Sequence, residues 1–340
     1  MHYREQDALF PERGGAGMKF IKVWDKSGIY ILTAAVFIVF WMMLGMRYVT
    51  LFNISNVLLT VSMVAIAGTS MVFAITSGGF DLSIGATQTL ATVVVAMGLK
   101  FWGLPIAAAI AVALVIGVLV GLMNGLIITK LKVQTFVTTL ASMLIIRGIA
   151  FIMYEGKNIM INEFMDYKAI TSTSFLGFSM AVWLMIAIVA FGWILYKFTR
   201  FGVFTRSLGS NELAVRISGV PADRTIILIF VFSAVTAVVS GIITSSMTLL
   251  GNANYGTAFP LEVITATILG GTSLSGGKGN IPGMLCAAVL LGFIKNGLNM
   301  LNVPFFYQDL ATGVVLIFAL FMGSLGYLVG KKADTVKEVE

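Results

Sequence analysis

The feature that most constrains this chain is a series of apolar runs of 18 or more residues that recur from residue 28 to residue 329. Wound into helix, a run of about 20 residues covers the ~30 Å hydrocarbon layer of a bilayer. With 58% hydrophobic and 11% charged residues in a length of 340, the chain reads as an all-α integral membrane protein. Hydropathy predicts spans at 28–46, 56–77, 82–99, 104–128, 134–154, 176–196, 225–249, 261–274, 282–300 and 309–329, which makes about ten transmembrane helices, the eighth of them short. Around them the expected organisation is a cytoplasmic N-terminal tail (1–27), one polytopic domain (28–330) and a cytoplasmic C-terminal tail (331–340). Residues 28–46 lack a small-residue cleavage site and are long for a signal peptide, so an uncleaved first span is expected.

Charge orients the spans. A net charge of +7 would suggest nucleic acid in a soluble domain, but here it falls in loops and no nucleic-acid partner is expected. Ten spans put both termini on one side. Sixteen of the 22 Lys and Arg then lie on that side and four (Arg47, Lys100, Lys157, Lys168) on the other, with Arg147 and Lys295 inside spans, so the crowded side is assigned to the cytoplasm. Five of the sixteen, Lys197, Arg200, Arg206, Arg216 and Arg224, occupy the long polar segment 197–224. That segment contains a short amphipathic helix expected from Asn211 to Ser218, closed by Gly219 and Pro221, a shape suited to docking a partner. The largest segment on the opposite side is 155–175, of mixed sign. Cys286 is the single cysteine and His2 the single histidine, which removes disulfide frameworks, cysteine or histidine metal sites and histidine-based catalysis. An enzyme is not expected, and no cofactor is assigned to this chain.

The two halves flanking 197–224 echo each other. Gly78-Gly79-Phe80-Asp81-Leu82-Ser83-Ile84-Gly85 and Gly270-Gly271-Thr272-Ser273-Leu274-Ser275-Gly276-Gly277 share G-G-x-x-L-S-x-G, and Asn-Gly-Leu recurs at 124–126 and 296–298. An internal repeat with short or broken helices at these motifs is expected, as in many transporters. A count of ten full spans makes it parallel; a re-entrant eighth span would allow an inverted one.

Polar residues inside spans are the candidate functional groups. Asp81 has three readings: a cap on the helix that follows the glycine break, a group handling solute or protons, or the partner of Arg147 or a basic loop residue. Packing against a buried carboxylate such as Glu262 accounts for at least one of Arg147 and Lys295. Asp81, Ser83, Asn124, Asn296, Asn299, Tyr307 and Gln308 are candidates for a polar translocation path or, equally, for interhelical hydrogen bonding. Gly117 is expected to serve close helix packing. The spans lack the chain of carboxylates a proton- or sodium-driven carrier uses. Nor does Gly276-Gly277-Lys278-Gly279-Asn280 have the spacing of a nucleotide-binding P-loop, so the energy must come from elsewhere.

Taken in order, G-G-x-D-L-S-x-G at 78–85, N-G-L at 124–126, T-R-x-G at 199–202, G-x-N-E-x-A-x-x-x-S-G at 209–219, and G-G-T-S-L-S-G-G-K-G at 270–279 followed by N-G-L-N at 296–299 resemble the ribose-type (simple-sugar) permeases of bacterial ABC importers. The resemblance covers about residues 55–325. It implies a multi-pass permease of the bacterial inner membrane that works with a second permease copy or paralogue, cytoplasmic ATP-binding subunits carrying ATP and Mg, and a periplasmic substrate-binding protein, amid membrane lipid. It also implies that 209–219 is the coupling loop, with Gly209, Asn211, Glu212, Ala214, Arg216, Ser218 and Gly219 at its functional positions. Leu213, where a small residue is common, and Phe80, where isoleucine is common, depart from the family pattern. The solute implied is a pentose or hexose; autoinducer-2, a polyol or a nucleoside is the alternative within the family, and a self-contained channel or secondary carrier for a small neutral solute is the alternative outside it.

Overall fold

The computed structural model describes residues 16–304 together with 306–308, 310, 313, 314 and 317. Its elements in chain order are α1 (Ala16–Leu44), α2 (Leu51–Thr76), α3 (Ile84–Lys100), α4 (Ile106–Lys130), α5 (Thr135–Met153), β1 (Ile159–Met160), α6 (Met165–Ser172), β2 (Ser174–Phe175), β3 (Phe178–Ser179), α7 (Met180–Phe198), α8 (Arg200–Ser210), α9 (Glu212–Ile217), α10 (Ala222–Thr248), β4 (Leu250–Gly251), α11 (Phe259–Leu269) and α12 (Ile281–Met300). Among the described residues, α1, α2, α4, α5, α7, α10 and α12 are long and apolar enough to cross a membrane. Residues 1–15 of the expected N-terminal tail (1–27), the tail at 331–340, His2 and nearly all of the tenth span lie outside the described residues, while 16–27 belong to α1.

α2 and α10 form the centre. Both are apolar and largely buried in protein, whereas α4, α5 and α7 bury one stripe and leave apolar side chains outward. Between helices in lipid there is little hydrophobic drive to associate, so close packing decides. Gly117, Gly121 and Gly125 line one face of α4 against α10. A side chain carbon at Gly121 would sit 2.5 Å from the Val231 Cα, and one at Gly125 would sit 2.7 Å from the Ile227 Cα. Gly117 therefore has the packing role expected of it. Similar contacts set α2 on α12, where Gly292 meets Val61 and Gly68 meets Met284.

The bundle has two distinct ends. At one end, Leu208 of α8, Val215 of α9 and Ala222 of α10 cluster beside the C-terminus of α2. At the other, β1 pairs antiparallel with β4 (Ile159 with Gly251), and the buried Tyr167 of α6 donates to the Ile242 carbonyl at 3.0 Å. α2 ends where α10 begins, so the two run in opposite directions.

Four expectations change or sharpen. The eighth span is not a span: α11 has 11 residues, about 16 Å of helix, because Gly270 and Gly271 end it. The repeat then takes the inverted sense that a re-entrant eighth span allowed, pairing α2, the shorter α3 and α4 with α10, the shorter α11 and α12, and placing Asn124 and Asn296 on equivalent helices. The segment 197–224 holds two helices, since α8 precedes the expected one. The first span also lies on a helix that begins at Ala16, upstream of 28.

Because the α4–α10 contact is backbone to backbone, Gly121→Val is expected to destabilise the fold by about 1–3 kcal/mol or more. The same change at Gly148 on the open face of α5, where nothing lies within 4 Å, is expected to be neutral. Thermal unfolding of the two detergent-solubilised variants checks the contrast.

Candidate functional site

α3, the expected third span, has 17 residues and α11 has 11, both shorter than the seven long helices, and the two start from one point inside the bundle and run apart. Their first turns touch: a side chain carbon at Gly85 would lie 2.7 Å from the Pro260 ring. α3 then runs to the β1–β4 end, where Lys100 Nζ donates to the Met160 carbonyl at 2.6 Å, and α11 runs to the α9 end. Both helices thus aim their amide-rich ends, where negative charge is favoured, at the interior.

Asp81 sits just upstream of α3 and is 1% exposed. Its Oδ1 accepts from the Ser83 amide at 2.9 Å and the Ser83 hydroxyl at 2.6 Å, and Asn124 Nδ2 donates to the same hydroxyl at 3.0 Å. The carboxylate thus closes a local turn onto Ser83, the residue that precedes α3, and α3 itself starts without a side-chain cap, so the expected capping contact is not the one made. The Arg147 pairing does not form. Arg147 instead reaches Thr257 Oγ1 at 3.2 Å, and among the described residues Asp81 has no ion-pair partner. Lys295 does pair with Glu262, at 2.6 Å, as one of the two intra-span cations was expected to.

The two glycine motifs meet at the α9 end. Gly277 N donates to the Thr76 carbonyl at 2.8 Å, and Gly78 and Gly271 both take left-handed φ, +91° and +92°, to leave their helices. Gly209, next to last in α8, is pressed between them. A side chain there would collide with the Thr76 carbonyl and the Gly277 amide, and one at Gly276 would lie 2.7 Å from the Gly209 carbonyl. One backbone position therefore grips the break after α2 and the break after α11. The echo between the motifs marks this shared docking point and not equivalent places in the inverted repeat, since one precedes its half-helix and the other follows it.

α9 projects from this junction. Asn211 Oδ1 caps it by accepting from the Ala214 amide at 2.9 Å, and Gly219, at φ +77°, ends it. Arg216 bonds Glu212 at 2.7 Å one turn back and Asp223 at 2.7 Å across to α10, and Lys130 at the end of α4 reaches Asp223 at 3.2 Å. Asp223 first, then Glu212, strengthens the protonated state of the guanidinium. Val215 is buried and Ala214 and Ser218 are exposed, while Leu213 and Ile217 stand 70% and 79% exposed on the outer face. α9 is thus a six-residue helix with two outward apolar side chains, braced by the Arg216–Asp223 pair to α10, which Lys130 of α4 joins.

Comparison with known proteins agrees with this architecture. A family described as "Branched-chain amino acid transport system / permease component" matches residues 53–320. The L-arabinose transport system permease protein AraH of Escherichia coli K12 is 35% identical over 310 residues, covering 90% of this chain and 92% of that protein. The ribose import permease protein RbsC of Escherichia coli K12 is 33% identical over 310 residues (89% and 95%), and RbsC of Bacillus subtilis is 35% identical over 296 (87% and 90%). The chain belongs to this permease family. No solved structure matches it. A permease component is the membrane part of a transport system and not itself an enzyme, which agrees with the reading of the sequence.

Within the permease the expected path residues separate. Asp81, Ser83 and Asn124 form one buried hydrogen-bonded group. Asn296 exchanges reciprocal bonds with Asn53, at 3.0 and 2.9 Å, which locks α12 to α2 near the opposite end. Asn299 is exposed near the end of α12, with Tyr307 and Gln308 beyond it. The residue that sequence reasoning missed as an organiser is Gly209; its only signal was its place in the G-x-N-E stretch.

Two outcomes are expected of the permease. Asp81→Asn keeps the thermal stability of the parent, since the Asn Oδ1 can accept from the same Ser83 amide and hydroxyl, whereas Asp81→Ala leaves those buried donors unpaired and loses about 1–3 kcal/mol. Gly209→Ala leaves the protein in the membrane but abolishes transport in reconstituted vesicles, because one methyl group separates α8 from both breaks.

Proposed function

We propose that this chain is the membrane permease of an ATP-driven bacterial importer for a simple sugar, a pentose or hexose. The observation that carries the reading is the combination of near full-length similarity to permeases named for arabinose and ribose with a braced, exposed helix at α9. The chain has no nucleotide-binding loop, so ATP and Mg belong to a separate ATP-binding subunit that docks on α9. A periplasmic binding protein delivers the sugar to the β1–β4 end, and a second permease copy or paralogue completes the membrane core. In this reading the α9 end and both termini are cytoplasmic and the membrane is the bacterial inner membrane.

The mechanism is alternating access driven from α9. Docking energy and nucleotide-dependent movement of the ATP-binding subunits displace Leu213 and Ile217. The Arg216–Asp223–Lys130 pairs pass that displacement to α10 and α4, and Gly209 passes it to the breaks that begin α3 and end α11. A half-helix pivoting at a glycine break moves with little loss of packing, which suits it to gating.

The test is reconstitution of the permease with its ATP-binding subunit and binding protein in liposomes, followed by uptake of labelled pentoses and hexoses. Uptake of at least one sugar that requires ATP inside the vesicle is expected; uptake that proceeds without ATP would establish a self-contained carrier instead. In the same assay Glu212→Ala, which frees one side of Arg216, and Gly219→Pro, which demands φ near −65° where the chain has +77°, are expected to keep membrane insertion while uncoupling ATP hydrolysis from uptake. Wild-type uptake by both variants would remove α9 from the coupling path.

A further inference from the structure

The group at Asp81, Ser83 and Asn124 is packed in protein, yet the outer face of α5 carries a cationic side chain that has no carboxylate within ion-pair distance among the described residues. Arg147 lies 12 residues past the start of α5 and 6 before its end, about 18 Å and 9 Å along the helix. Its exposed neighbours Leu144, Ile145, Ile149 and Ile152 are all apolar. The guanidinium rests 5.9 Å over the Phe151 ring and donates to Thr257 Oγ1, and among the described residues it makes no ion pair. A cation at this depth on an apolar helix face is costly against lipid and is found facing protein or water instead.

The surroundings are those of a polar wall. Thr257 and Asn254 are exposed in the loop before α11, joined by the Thr257 hydroxyl donating to the Asn254 carbonyl at 3.2 Å. The loop lies level with the meeting point of the half-helices, since Gly256 of the same loop packs on Gly85. Behind Gly256, the Gln88 side chain is 4% exposed and its Oε1 has no hydrogen-bond partner. We infer that Arg147, Thr257 and Asn254 form the solute-contacting wall of a water-filled path, taking a neutral polyhydroxylated molecule through hydrogen bonds from the guanidinium to adjacent hydroxyl oxygens.

This rests on the sugar-importer reading for the identity of the solute but not for the existence of the wall. The fork of Arg147 presents several donors in one plane, a match for two neighbouring hydroxyl oxygens, while the Thr257 hydroxyl and the Asn254 amide can donate or accept. The wall lies at the level where the first turns of α3 and α11 touch, so a movement of either helix alters it. The Asp81 group, by contrast, is buried and satisfied within the protein and is read as scaffold.

The experiment has two arms, both in a Cys286→Ser background and with the full importer reconstituted in liposomes. In the first, Thr257→Cys and, as the lipid-facing control, Ile145→Cys are treated with a charged, membrane-impermeant thiol reagent. Thr257→Cys is expected to react at least about tenfold faster, because thiolate formation needs water or a polar surround. In the second, Arg147→Ala is expected to lower uptake about 10- to 100-fold, the range for losing a charge-assisted hydrogen bond. Arg147→Lys should fall between, and Thr257→Val supplies a milder lesion should Arg147→Ala not insert. Thr257→Cys as unreactive as Ile145→Cys, or wild-type uptake in Arg147→Ala as expected of an arginine that merely reaches for headgroups, would overturn the inference. A reactive Thr257→Cys in an importer that takes up no sugar would support the wall and overturn the sugar reading.

Discussion

The structure depends on a contact between backbones in which no side chain takes part. Gly209 lies so close to the Thr76 carbonyl and to Gly276 and Gly277 that nothing larger than hydrogen fits. Through it the end of α8 holds together the exit from α2 and the loop between α11 and α12, and the next residue but two begins α9. A contact of this kind transmits force with little slack, since moving one partner requires moving the others or opening a gap in a packed interior. Without it, the exposed knob at α9 and the two half-helices would be separate features of the same chain.

Buried polarity follows the same economy. A carboxylate removed from water needs compensation, and Asp81 takes it from the Ser83 amide and hydroxyl at the amide-rich end of α3 instead of from a cation. Lys295 and Glu262 neutralise each other across α12 and α11, and Asn53 and Asn296 satisfy each other across α2 and α12. Charges that could have marked a proton relay are thereby explained as structural, which leaves Arg147 as the conspicuous intra-span charge without an ionic partner among the described residues.

Much of this was legible in the sequence. Apart from the start of α1, apolar runs located the long helices to within about five residues, because bilayer thickness and backbone hydrogen bonding leave so few options, and Asn211 and Gly219 bracketed α9 correctly because caps are local chemistry. The limits are as instructive. Residues 261–274 read as a span too short to be complete, and the glycine pair at 270–271 is where the helix stops. The inverted sense of the repeat was hidden because the clearest echo, G-G-x-x-L-S-x-G, reflects two loops converging on Gly209 and not the repeat itself. α8 was missed since a helix lying between polar loops shows neither a full apolar run nor a distinctive cap. Gly209 and Arg147 owe their roles to neighbours more than 60 residues away in the chain, which no local pattern encodes.

The central claim, that α9 and the loop between α11 and α12 move as one body through the Gly209 contact, is open to a direct distance measurement. Spin labels at Ser218→Cys and Ser275→Cys, both exposed sites, report that pair by pulsed electron resonance, and labels at Ser218→Cys and Met46→Cys report α9 against the opposite end. On passing from the nucleotide-free to the ATP-trapped importer, the first distance is expected to stay unchanged while the second shifts. A shift in the first pair as large as in the second would contradict the account.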